Sequence, residues 1–266
     1  MNKKIWLQTL TLWDFPSQHY LREQEHAQNY KGATPSYIIW NLLQRYTRPG
    51  DVVIDTMCGA GTTLDVAKEL NREALGFDLN PTRKDIKQAD ARKIPIEKAT
   101  ADFVFIDPPY STHITYSGKE NCIGELEATS GEYYAALEQV IREVHRILKP
   151  SRYMALLVSD SAKKGKPFLP IGFNLFSILS DYFLPVDIIA VTRHNAKLLR
   201  NHWHSAAVEG NYFLRGFGYL FIMYKMGKGE TPGKWLDRRA SEETQKQLDS
   251  FTIKKKNQAG FCNQPQ

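Results

Sequence analysis

The 266-residue sequence predicts an α/β fold, a mostly parallel seven-stranded sheet with an antiparallel last strand and helices on both faces. Three observations carry that reading. Short apolar runs alternate with amphipathic, helix-length segments from residue 51 to residue 191, the rhythm of βαβ units. A glycine-rich turn links the first run to the first helix after it, as in open α/β sheets that bind ligands at strand ends. The last two runs have no helical pattern between them, so they pair antiparallel.

The elements follow in order. Residues 1–33 are polar with interleaved aromatics (Trp6, Trp13, Phe15, Tyr20, Tyr30) and read as an irregular arm. Thr34-Pro35 opens a helix, with Thr34 as N-cap and Pro35 in the first turn; Ile38, Ile39, Leu42, Leu43 and Tyr46 make one apolar face. Arg48-Pro49-Gly50 ends it. Strands follow at 52–54, 74–77, 86–89 and 103–106, with a helix over 62–71 between the first two. Ser130 caps a long helix whose stripe is Leu137, Val140, Ile141, Val144, Ile147 and Leu148, ending at Lys149-Pro150. A strand at 154–158, a helix at 173–183 and strands at 188–191 and 219–223 complete the domain, placed at 34–226. The remainder, 227–266, is a polar basic tail expected to be partly disordered.

Composition narrows the class. No apolar run is long enough to span a bilayer, and MNKKIWLQTL has no sustained apolar stretch, so the expected location is cytoplasmic, at the nucleoid. Three cysteines without paired ligand spacing suit a reducing compartment and leave no structural zinc site, so no metal is expected. The net charge of +6 is compatible with a nucleic-acid partner.

The first chemical motif is DVVIDTMCGAGTT, from Asp51 to Thr63, at the first strand-to-helix turn. Gly59 and Gly61 let the backbone turn sharply and approach a ligand with no Cβ in the way. The spacing lacks the third glycine of a dinucleotide fingerprint, and no Gly-Lys-Ser/Thr follows, so neither a pyrophosphate site nor a Walker loop is indicated. Asp55 is placed to accept from an ammonium group. Asp78, at the end of the second strand, is placed to take the hydroxyls of a ribose, and Asp90, after the third, to accept from an adenine amine. Each can instead serve as a turn or capping residue.

The second motif is Asp107-Pro108-Pro109-Tyr110, directly after the fourth strand. Consecutive prolines stiffen the loop and remove donors, leaving carbonyls free to accept. A carboxylate and a proline carbonyl can then hold both hydrogens of one amino group. An exocyclic base amine is conjugated with its ring and a poor nucleophile; two acceptors favour a pyramidal nitrogen with its lone pair aimed at a donor. Tyr110 offers a ring on which a flipped base can stack.

Together DTMCGAGTT, GFDLNP, ADAR and IDPPY resemble the amino-methyltransferases that modify adenine or cytosine in DNA. The resemblance spans residues 34–225 and implies a Rossmann-like class I methyltransferase fold, S-adenosylmethionine as cofactor and DNA as substrate. It places Thr34, Pro35, Asp55, Met57, Cys58, Gly59, Gly61, Thr62, Thr63, Asp78, Asp90 and Ala91 around the cofactor. It makes Asp107, Pro108, Pro109 and Tyr110 catalytic. The acidic first letter of the tetrapeptide favours adenine over cytosine. Two departures stand out: Thr56-Met57 replaces the family's Pro-Phe, and Ala60 replaces Ser.

Family members carry a sizeable recognition domain, for which this sequence has little room. Two spare segments remain, 111–129 with His113 and Tyr116, and 194–215 with Lys197, Arg200, Trp203 and Arg215. These residues are expected to contact DNA through phosphates and stacked bases. The short length leaves room for a separate specificity or restriction subunit, and for a homodimer. Two other readings stay open: an RNA (tRNA or rRNA) guanine amino-methyltransferase, and a non-catalytic DNA-binding subunit with a methyltransferase fold. Methylation at cytosine carbon 5 is disfavoured, because none of the three cysteines follows a proline.

Overall fold

A computed structural model of the chain describes residues 5–15, 17–20, 33–110, 118, 121–161, 168–194, 198 and 200–240. The chain divides into two compact units, 1–226 and 227–266.

In the first unit the strands are β1 (Leu12–Trp13), β2 (Val52–Asp55), β3 (Glu73–Asp78), β4 (Ile86–Gln88), β5 (Ala101–Ile106), β6 (Leu148–Val158), β7 (Leu184–Thr192) and β8 (Phe217–Lys225). Their order in the sheet is β1-β7-β8-β6-β5-β2-β3-β4. Only β8 runs antiparallel, between β6 and β7. The expected mostly parallel, Rossmann-like sheet with an antiparallel last strand is therefore present.

The strand count corrects the sequence reading: the arm contributes an eighth strand. Leu12 and Trp13 pair in parallel with Ala190 and Val191. Trp13 and Phe15 are buried, and Phe15 stacks on Tyr37 at 5.1 Å. A two-residue strand is too short to show an alternating period, so the reading saw only scattered aromatics.

The helices of this unit are α1 (Ser36–Tyr46), α2 (Thr62–Glu69), α3 (Gly131–Ile147), α4 (Ile171–Tyr182) and α5 (Asn201–Glu209). The central strands are buried on both faces, as a doubly covered parallel sheet requires. Val104, Ile106, Met154, Leu156, Phe221 and Met223 face α3 and α4. The alternate residues Phe103, Phe105, Ala155, Leu157, Leu220 and Ile222 face α1 and the arm. Each fully buried Phe or Ile contributes roughly 1.5–3 kcal/mol.

Three further expectations are corrected. Thr34 does not cap α1: Pro35 is the N-cap residue, no side chain caps the helix, and the Thr34 hydroxyl goes elsewhere. Ser130 sits at the N-cap of α3, but its hydroxyl donates to the Glu127 carbonyl instead of capping. The stretch between the last two strands, expected to lack a helical pattern, contains α5 at residues 201–209. In the second unit, within the stretch expected to be partly disordered, Pro232–Ala240 form a helix, α6, with Trp235 buried.

Candidate active site at the sheet's switch point

The chain reverses its direction of travel across the sheet between β2 and β5, which are neighbours. Crevices at such points, outside the carboxyl ends of the strands, are where open α/β sheets bind ligands. Asp55 ends β2, Asp78 ends β3 and Asp107 follows β5. Both sequence motifs thus lie at this crevice.

The glycine turn is tightly built. Gly59 and Gly61 both have positive φ, 51° and 84°, a region that L side chains avoid. Asp78 accepts from the Gly59 and Asn80 amides at 2.9 and 2.8 Å, tying the end of β3 to the turn. Thr82 donates to the Gly59 carbonyl at 2.8 Å, and Arg83 pairs with Asp65 while also reaching the Ala60 carbonyl. Sequence reasoning missed Thr82 and Arg83; nothing in their local pattern signals braces across 18 to 23 residues. Met57 is half-buried, whereas Cys58, Thr62 and Thr63 are buried.

Asp55 is 4% exposed. It accepts from the Thr63 hydroxyl at 2.6 Å and the Met57 amide at 3.1 Å. Burial pushes its pKa up to about 7 against those two bonds, with Asp107 and Asp78 adding repulsion. Asp90 is differently engaged: Arg92 chelates its carboxylate, and the Arg92 amide adds a third bond at 3.0 Å. The adjacent Ala91 is buried.

The tetrapeptide is held from three sides. Thr34 donates to Asp107 Oδ2 at 2.6 Å, and the Tyr110 hydroxyl donates to Oδ1. Tyr133, fully buried on α3, donates to the Pro109 carbonyl at 2.8 Å. Among the described residues no hydrogen bond to the Pro108 carbonyl is present. Burial raises the Asp107 carboxyl to about 6, while the two hydroxyls and the Arg193 guanidinium pull it back down. Tyr133 and Arg193 are further residues that the sequence reading missed. Tyr110, expected as a stacking ring, here uses its hydroxyl to hold Asp107. Pro35 begins α1 immediately after Thr34.

The crevice suits a cationic ligand with polar groups. Asp107 and Asp78 both repel Asp55 there, and the buried hydroxyls of Thr56 and Thr62 find no hydrogen-bond partner among the described residues. An unpaired buried hydroxyl costs about 1–3 kcal/mol, which a ligand can offset. Among the described residues there is no cluster of three or more His, Cys, Asp or Glu fit for a metal. Likewise no helix there is long and apolar enough to cross a membrane.

Of the expected nucleic-acid contacts, Arg200, Trp203 and Arg215 are described. Arg200 precedes α5, Trp203 lies on it, and Arg215 precedes β8. His113, Tyr116 and Lys197 lie outside the described residues.

A family model described as DNA methylase matches residues 2–89 and 101–261. The probable type III restriction-modification enzyme HindVI Mod subunit of Haemophilus influenzae is 33% identical over 79 residues, 29% of this chain and 11% of that protein. The DNA adenine methyltransferase YhdJ of Escherichia coli is 30% identical over 69 residues, 26% of this chain and 23% of that protein. The chain thus matches only a minor part of these relatives' length. Among solved structures, TrmN from Thermus thermophilus superposes with a TM-score of 0.52 at 18% identity, covering 77% of this chain and 53% of that one, a likeness of fold. With most of its length matched by the family model, from the arm through both motifs and beyond, the chain belongs to the DNA methylase family.

Proposed function

We propose that the protein transfers a methyl group from S-adenosylmethionine to the exocyclic amino group of a base in DNA, with adenine preferred. The observation that carries this reading is the Asp107-Pro108 pair, a half-buried carboxylate beside a carbonyl with no donor among the described residues, at the switch point opposite the glycine turn. Membership of the DNA methylase family supports the same chemistry. The acidic first letter of the tetrapeptide supports adenine, and one relative is named a DNA adenine methyltransferase.

S-adenosylmethionine, when bound, supplies an electrophilic methyl group on a sulfonium centre. Asp55, Asp78 and the orphaned hydroxyls of Thr56 and Thr62 would hold it, together with Gly59, Gly61 and Thr63. Asp107 and the Pro108 carbonyl accept the two hydrogens of the target amine and orient its lone pair. Thr34 and Tyr110 fix the carboxylate, and Tyr133 fixes the carbonyl next in line. With a pKa near 6, Asp107 is ionised at neutral pH and can receive the proton that the nitrogen sheds after transfer. Part of the proposal is that Asp90 and Ala91 border the adenine end of the cofactor; Asp90 would release Arg92 to accept from its amine.

The reading is tested by offering labelled S-adenosylmethionine with DNA and with RNA, then digesting the product to nucleosides. Label recovered as N6-methyladenine from DNA is expected. Label in N4-methylcytosine would keep the chemistry and change the base. Label entering RNA alone would overturn the substrate. The relation to a Mod subunit makes a restriction partner part of the same proposal.

A further inference from the structure

The carboxyl-end rim carries a second feature, two strands away from Asp107. Adjacent strands lie ~4.8 Å apart, so β8 passes about 10 Å from the line of β5. At its start stands a group of exposed aromatic rings: Phe217 is 46% exposed, Phe173 on α4 65%, and Phe168 49%. Tyr219 joins the first two, its ring centroid 5.2 Å from Phe217 and 5.7 Å from Phe173, edge to face in both cases. The Arg215 guanidinium lies 4.9 Å over Phe168 and bears electrostatically on Tyr219.

The arrangement is built rather than incidental. A Cβ on Gly172 would stand 2.4 Å from the Tyr219 ring, so only glycine lets α4 approach it. Asp160 accepts from the Gly172 amide at 2.9 Å and the Tyr219 hydroxyl at 3.2 Å, pinning the start of α4 to the start of β8. Apolar rings exposed together on a charged rim mark an interaction surface. The charge identifies the partner: from residue 193 to residue 217 the sequence carries four Lys or Arg and a single carboxylate, Glu209. Exposed rings with an arginine over one of them, next to a chain segment rich in Lys and Arg, suit a polyanion that also presents flat faces.

We propose that Phe168, Phe173 and Phe217, with Arg215, form a shelf on which unpaired bases of the DNA strand flanking the target nucleotide stack. This rests on DNA being the substrate. A stacked strand rises ~3.4 Å per base, so about 10 Å places the shelf some three nucleotides from the target. Bases reach the shelf only where the duplex is opened, so the protein binds single-stranded DNA through its bases and not through phosphates alone.

The test measures fluorescence anisotropy of the full chain with a labelled single-stranded oligonucleotide and with an abasic oligonucleotide of equal length and charge. The native protein is expected to prefer the base-bearing strand by about tenfold. The double variant Phe173→Ala/Phe217→Ala is expected to lose that preference while binding the abasic strand as before. Phe173→Trp/Phe217→Trp keeps the preference if stacking is its source, and unchanged thermal melting shows that both variants fold. A preference absent in the native protein, or intact in the alanine variant, overturns the shelf. Self-association that the alanine variant abolishes would assign the face to a second copy of the chain and also overturn it. If methyl transfer to DNA persists through any of these outcomes, the shelf alone falls; if the native protein neither binds nor methylates DNA, the proposed function falls with it.

Discussion

The two ends of the carboxyl rim are built on opposite principles. At the switch point, Asp55 and Asp107 are pushed above the usual carboxylate range by burial, and each is fixed by two donors. At the far end, Phe173 and Phe217 stand open to solvent beside Arg215. One end gathers negative charge in a pre-shaped crevice, which suits a small cation. The other presents positive charge and flat apolar faces, which suit a long anion. A base-methylating enzyme needs both, since its cofactor carries positive charge and its polymer negative charge. Changes at the first end should therefore alter cofactor binding and turnover, and changes at the second should alter DNA affinity and its salt dependence.

The largest separation is expected from Asp55→Asn. It removes the negative charge facing a cationic ligand and turns an amide N–H toward the Thr63 hydroxyl, while its one oxygen can still accept from the Met57 amide. Cofactor affinity, read by calorimetry, should fall by about ten- to a hundredfold. Affinity for DNA should hold. If both fell equally, the two ends would not be independent.

Next in size is the pH dependence of the same site. Asp55 and Asp107 bind protons more tightly folded than unfolded, since their folded values are about 7 and about 6 against an ordinary 3.8. Their contribution to the stability of the free protein is therefore fully present below about pH 4 and is lost as pH rises through 6 and 7. A cationic ligand prefers the ionised carboxylates, so its binding releases protons and tightens as pH rises. Below pH 7 the gain should approach roughly tenfold per unit. Melting scans from pH 5 to 8, with and without S-adenosylmethionine, should show a ligand-induced shift that grows with pH. A shift independent of pH would mean that these carboxyls do not meet the ligand's charge.

Smaller effects follow from single contacts. Thr34→Val removes a hydroxyl that favours the ionised form of Asp107. The acid limb of the turnover profile should move to higher pH, with turnover at pH 8 reduced only several-fold, about the worth of one hydrogen bond. An unmoved limb would detach Asp107 from the profile. At the far end, Arg200→Ala should leave turnover at saturating DNA unchanged and lower the salt slope of DNA affinity by about 0.7–0.9. An unaltered slope would remove Arg200 from the phosphate contacts.

What could be read in advance was whatever is local. Each motif lies within a stretch of chain, and strand ends could be placed by apolar runs, so the parallel order and the meeting of both motifs at one crevice followed. The supports were not readable. Tyr133 reaches Pro109 from 24 residues away and Thr34 reaches Asp107 from 73, and no periodicity encodes such pairs. Thr34 also drew a false cap, because a threonine before a proline-led helix looks like an N-cap until tertiary structure supplies a better acceptor. β1 failed for want of length. The aromatic shelf assembles from α4, the start of β8 and the stretch before each, which the sequence separates by some 40 residues.

The central claim is that Asp107 holds the amine while the glycine turn holds the cofactor. The most direct measurement is single-turnover methyl transfer to DNA by Asp107→Asn, with cofactor affinity determined on the same preparation. The account predicts transfer reduced by about 10²–10³-fold, in the range found when one transition-state contact is removed, with cofactor affinity unchanged or slightly altered. Transfer at the native rate, or a loss explained wholly by weaker cofactor binding, would contradict it.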